Sequence, residues 1–174
     1  MDLQDIKTPG LSCDLHDNPD IKERELALSH KILMSVEKPA RYIGGESGSV
    51  IKDKEKVSVR FAFCFPDSYD IGMSHLGMKI LYSLTNQREA YWCERVFAPG
   101  IDFEEIMRRE NIPLYALESL DPVKDFDFIG FTMQYELSYT NVLNMLDLAG
   151  LPVFAKDRGD ELFNIVVAGG PCVC

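Results

Sequence analysis

The chain has 174 residues, 46% of them hydrophobic and 26% charged, and its formal charge is -10. That length suits one domain with a real core plus an extension. The acidic balance argues against a direct nucleic-acid partner, since phosphate backbones need a basic face. No stretch reaches the ~18–20 continuous apolar residues of a membrane span, so no membrane partner is expected.

The first residues, Met1-Asp2-Leu3-Gln4-Asp5-Ile6, are acidic and lack the apolar core of a signal peptide. A cytoplasmic location follows as the expectation. In such a reducing compartment Cys13, Cys64, Cys93, Cys172 and Cys174 are expected to be free thiols. Residues 1–19 are polar and aperiodic, broken by Pro9-Gly10 and Asn18-Pro19. They read as a loose tail. Asp20 and Glu23 match a capping box, and Leu28, Ile32 and Val36 share a face, which predicts a helix from Asp20 to about Glu37. Pro39 disfavours helix at Lys38. Arg41 to Ser49 is a glycine-rich connector, read as a turn in which Arg41 and Glu46 could fold over the sheet edge.

From residue 57 onward strands and helices alternate. Val59 to Phe65 is a near-continuous apolar run, the pattern of a central parallel strand buried on both faces. Met73, Leu76, Gly77, Ile80, Leu81 and Leu84 repeat at helical spacing, with Ser74 as the expected N-cap. Tyr91 to Phe97 is a second strand, and Asp102 to Glu110 a short helix with an acidic start. A short extended piece, Ile112 to Leu117, precedes a third strand from Phe126 to Met133. A helix from Ser138 to Ala149 carries Tyr139, Val142, Leu143 and Leu146 as its stripe and stops at Gly150 and Pro152. Phe163 to Ala168 is the last strand.

This order predicts an α/β fold, a flavodoxin-like (Rossmann-like) doubly wound, mostly parallel sheet with an N-terminal helical extension. Residues 1–56 are read as tail, helix and connector, and 57–174 as the α/β domain. A complete unit would continue with a helix, a fifth strand and a last helix. The sheet is therefore expected to be incomplete at its C-terminal end, the front part of something longer.

In such sheets ligands bind at the carboxyl ends of the strands. Three segments meet that criterion. Ser74, His75, Leu76 and Gly77 open a helix, whose N–H groups suit an anionic or polar ligand; a capped helix with an incidental histidine is the plainer alternative. Tyr135, Glu136 and Ser138 follow the third strand, where capping by Ser138 or Thr140 competes as an explanation. Gly169, Gly170 and Pro171 allow close backbone approach or simply a tight turn. The Gly44 to Ser49 segment lacks the lysine and the strand–helix position of a phosphate loop, and no Gly-x-Gly-x-x-Gly follows the first strand. Cys172-x-Cys174 has no second ligand pair, so no metal site is read there, and no nucleophile–base set suggests catalysis by this chain alone.

Several blocks together resemble a known family: Arg41 to Glu46, Phe61 to Asp67, Met73 to Leu81, Trp92 to Pro99, Pro113 to Ser119, Gly130 to Asn141 and Ala168 to Cys172. They are similar to the N-terminal region of bacterial radical S-adenosylmethionine (radical SAM) proteins that carry a cobalamin-binding-like domain. The resemblance covers about residues 28–174. It implies a module covering a radical-generating barrel, the chain's expected partner. That barrel holds an iron–sulfur cluster through Cys-x-x-x-Cys-x-x-Cys and reduces S-adenosylmethionine. This sequence contains no such motif, so cluster and S-adenosylmethionine are assigned to a part beyond it, and the chain alone is expected to be inactive. Cobalamin is the candidate cofactor of the module itself. The cobalamin motif Asp-x-His-x-x-Gly is absent after the first strand, where Asp70 and His75 stand five apart. Asp14-x-His16 lies in the tail, with Pro19 where the glycine belongs. Two readings follow: a module that binds cobalamin without a protein imidazole, or a degenerate cap that binds no cofactor.

Overall fold

The computed structural model describes residues 29–158 and 164–173. Four strands form one all-parallel sheet: β1 (Val59–Phe65), β2 (Tyr91–Phe97), β3 (Phe128–Thr132) and β4 (Ile165–Gly169), in the spatial order β2-β1-β3-β4. The helices are α1 (His30–Leu33), α2 (Tyr69–Ser74), α3 (Leu76–Asn86), α4 (Ile101–Glu110) and α5 (Ser138–Leu148). This is the α/β, flavodoxin-like arrangement that the alternating pattern predicts.

The order fixes the faces. The chain steps outward from β1 to β2 through α3, then returns past β1 to β3. Right-handed crossovers therefore place α3 on one face and α4 and α5 on the other. Arg108 joins the latter two, donating to Asp147 at 2.7 Å and Asn144 at 2.7 Å. The change of direction leaves the topological switch point between β1 and β3.

Register aligns the side chains on the α3 face. Phe61 pairs with Phe128, Phe63 with Gly130, Gly130 with Val167 and Thr132 with Gly169. The intervening residues Ala62, Cys64, Ile129 and Phe131 point the other way and are buried. β2 carries two buried charges, each paired. Glu94 accepts from Arg60 at 2.5 Å, and Arg95 donates to Glu118 at 2.6 Å. The glycine-rich connector lies over this edge, with Glu46 on Arg95 at 3.2 Å and Arg41 paired to Asp70. Gly44, at φ +66°, sits so close to the Leu117 carbonyl that a Cβ would fall 2.1 Å from its oxygen.

Several expectations need correction. The single helix from Ser74 is two helices broken at His75. Gly72 packs beneath Phe97, where a Cβ would lie 2.3 Å from the ring, and this seats α2 as a separate turn. Ser74 is not the cap: its hydroxyl donates back to Ile71 O at 2.7 Å. His75 is extended (φ -75°, ψ 113°) and caps α3 instead.

The apolar stripe read for this helix faces outward. Leu76, Ile80, Leu81 and Leu84 are exposed, whereas Met78 and Tyr82 are buried against the sheet. The predicted helix from Asp20 to Glu37 is, among the described residues, only α1, capped by Ser29; residues 20–28 lie outside them. Phe126 belongs to a turn before β3 rather than to the strand, and Phe163 lies outside the described residues.

Candidate functional site

A groove of about 400 Å³ runs over the α3 face of β1, β3 and β4, from Phe61, Gly130 and Val167 at mid-strand to Thr132 and Gly169 at the carboxyl ends of β3 and β4. Its floor is Phe61, Phe63 and Gly130; Met78 and Leu81 form the α3 wall and Val167 the β4 wall. The floor is low because Gly130 has no side chain: the Phe61 ring occupies its place, and a Cβ would lie 2.5 Å from Cζ. Among the described residues no Lys, Arg, Asp or Glu lines the groove. Its polar side chains are His75, Thr132 and Gln134, with the Gln134 amide donating to Thr132 Oγ1.

Of the ten residues the sequence nominates, four line this groove: His75, Gly77, Gly169 and Gly170. Ser74, Leu76, Tyr135, Glu136, Ser138 and Pro171 do not. Leu76 points to solvent. Ser138 is buried and donates to Tyr135 O at 2.6 Å, so its hydroxyl is turned into the preceding turn rather than toward a ligand. Tyr135 donates to Asp67 across the β1–β3 switch point, and Asn141 donates to Pro66 O at 2.9 Å. The loop after β3 is thus tied to the loop after β1.

After β4 the chain turns back. The Cys172 N–H donates to Met133 O at 3.3 Å, and Tyr139 donates to Cys172 O. Gly170 makes this turn at φ +118°, and a Cβ there would fall 2.4 Å from Met133 O. Sequence reasoning missed Thr132 and Gln134. Their signal was present: they stand two apart at the end of an apolar strand, so both fall on the face that β1 and β4 share.

A second, much smaller cavity of about 30 Å³ is lined by Arg41, Tyr42, Tyr69 and Gly100. At its wall Tyr42 accepts the Gly100 N–H at 3.2 Å. The thiols of Cys64 and Cys93 are buried, and burial pushes both far above the ordinary cysteine value, which removes them as nucleophiles and ligands. Among the described residues no cluster of His, Cys, Asp and Glu could hold a metal ion, and no helix is long and apolar enough to cross a membrane.

Comparison with known proteins bears on the same half of the chain. The family described as radical SAM proteins, N-terminal, matches residues 77–174, more than half of the sequence. The chain belongs to this family. Within it, the match runs from the first turn of α3 to the end of the sequence and takes in β2, β3 and β4. The chain is also 30% identical over 119 residues to an uncharacterized protein of Methanocaldococcus jannaschii. That alignment takes in 68% of this chain and 20% of the relative, so this radical SAM N-terminal chain spans about one fifth of the curated relative's length. No solved structure matches it.

Proposed function

We propose that the chain is the cofactor-binding-like N-terminal module of a radical SAM protein, and that its groove receives the flat face of cobalamin. One observation carries this reading. Three segments far apart in sequence, at residues 75–77, 132–134 and 169–170, line one groove at the carboxyl edge of a doubly wound sheet. The residues there suit such a group. The floor is aromatic and aliphatic, Gly169 has open space beside its Cα, and the rim offers neutral hydrogen-bonding groups of the kind that match peripheral amides. When bound, cobalamin supplies a cobalt centre that can carry an alkyl group. The chain's own part is to hold and orient: Phe61 and Val167 face the ring system, Gly169 and Gly170 admit it close to backbone, and Thr132 and Gln134 fix its edge.

The iron–sulfur cluster and S-adenosylmethionine belong, in this proposal, to a barrel elsewhere in a longer protein, against which the module sits. A second reading makes the module a cap without a cofactor. The outward stripe of α3 favours it, because Leu76, Ile80 and Leu84 form an apolar surface that a neighbouring domain would cover. The test is direct. The purified chain is mixed with hydroxocobalamin and desalted, and the expected result is retained pink colour near one equivalent. No retained absorbance at high cobalamin would sink the cofactor reading and leave the cap.

A further inference from the structure

The histidine that enters the groove is held in one tautomer. The Met78 N–H donates to His75 Nδ1 at 3.1 Å, closing the first turn of α3. A neutral imidazole whose Nδ1 lone pair is so engaged carries its proton on Nε2. The ring cannot easily rearrange. It packs 5.2 Å from the Phe65 ring on one side, and on the other it lies over Gly77, where a Cβ would come within 2.9 Å of His75 Cε1. Among the described residues Nε2 has no hydrogen-bond partner, and the ring borders the groove.

We infer that His75 is a hydrogen-bond donor to the groove's ligand through Nε2–H, and not a metal ligand. A metal at Nε2 needs the lone pair that the proton occupies. Moving that proton to Nδ1 would set it against the Met78 N–H, two donors face to face, and open the helix cap. Capping and metal ligation are therefore mutually exclusive for this side chain.

The chemistry of the ligand follows. Thr132 Oγ1 already accepts from Gln134, which leaves its own O–H to donate. With Nε2–H this gives two neutral donors on the rim of an apolar groove without a cation. Such a rim recognises carbonyl or amide oxygens on an uncharged flat group rather than a phosphate. The ligand part of this inference rests on the cofactor reading above; the tautomer does not.

The experiment separates the two. The full chain, labelled with 15N-histidine, is studied by long-range 15N–1H correlation, with His75→Asn assigning the resonance. Asn keeps a cap acceptor for Met78 but does not reach into the groove. The expected result is a bare Nδ1 and a protonated Nε2. A proton on Nδ1 overturns the inference whatever the chain binds.

The second measurement uses the chain loaded with cob(II)alamin and read by electron paramagnetic resonance. Hyperfine splitting from a protein imidazole nitrogen that vanishes in His75→Asn overturns the inference. Absence of that splitting, with retention weakened about tenfold or less in His75→Asn, the worth of one hydrogen bond, supports it. Unchanged retention in the variant overturns the donor role. If no cobalamin is retained but Nε2 is protonated, the cofactor reading falls and the assignment of His75 stands.

Discussion

Arg95 and Glu118 are joined twice: the guanidinium Nε donates to Oε1 at 2.6 Å, and the Arg95 backbone N–H donates to Oε2 at 2.7 Å. One carboxylate thereby holds both the side chain and the main chain of β2. Glu118 is buried and Arg95 nearly so, and burial pushes the Glu118 carboxyl up against the pull of Arg95. Removing Glu118 leaves the buried Arg95 with only the longer 3.2 Å pairing to Glu46. Glu118→Ala is expected to cost ~3–5 kcal/mol, read as a fall in the urea midpoint at unchanged slope. Glu118→Gln, which keeps an acceptor for the backbone N–H, should cost less.

The acid limb of stability has a named contributor in Asp121. Burial pushes its carboxyl up, but hydrogen bonds and charge from Lys54 and Arg60 outweigh that and hold it below the ordinary aspartate value of 3.8. A depressed folded-state value means stability present above 3.8 and lost as pH falls through the lower folded value. Asp121→Asn should therefore lower stability at neutral pH and flatten its decline below about pH 4. Urea midpoints measured from pH 7 to pH 2 check this, and an unchanged acid slope would refute it.

Gly130 and Gly170 should answer differently to the same added methyl group. At Gly130 the obstacle is the end of the Phe61 ring, which borders open groove and can swing into it. Gly130→Ala is expected to cost ~1–3 kcal/mol and to abolish retention of hydroxocobalamin by filling the floor. At Gly170 the obstacle is backbone, and φ is +118°. Gly170→Ala should cost ~2 kcal/mol or more through strain in the turn that carries the Cys172–Met133 hydrogen bond. Thermal unfolding and cobalamin retention, measured on both variants, distinguish the two causes.

The two sides of α3 give the sharpest contrast. Met78→Ala should cost ~2–5 kcal/mol, because the side chain is buried against the sheet. Leu76→Gln, Ile80→Gln and Leu84→Gln should each change stability by no more than ~0.5 kcal/mol, since all three are exposed. Together they should reduce self-association and dye binding of the isolated chain. A large loss of stability from the outward set would mean that α3 is turned the other way.

That contrast also marks what the sequence made legible. The strands were readable because a parallel strand buried on both faces must be apolar throughout, as Phe61 to Phe65 is. Their order followed from alternation with helices. The orientation of α3 was not readable by the same logic, since Leu76, Ile80 and Leu84 form a stripe as regular as any core-facing one. What decides the matter is packing: Tyr82 accommodates the Arg95 guanidinium over its ring and accepts the Val50 N–H at 2.7 Å.

At the site, Gly169 and Gly170 were found because glycine after an apolar strand is a local signal. Thr132 and Gln134 had only their place at the end of an apolar strand to mark them; the register sets Thr132 opposite Gly169, and Gln134 joins it by donating to Thr132 Oγ1. The break at His75 depended on the fit of Gly72 under Phe97, a contact between residues 25 positions apart that no local pattern announces.

The central place of β1 also sets a timetable. β1 is the earliest of the described strands, yet both of its neighbours, β2 and β3, are made later, and β3 only after β2 and α4. During synthesis one edge of its apolar run can pair once β2 is delivered, but the other must wait until the ribosome has passed Phe131, and β4 then joins a platform already built. The module is thus obliged to assemble from its middle outward, with the groove over β1, β3 and β4 the last part to take shape.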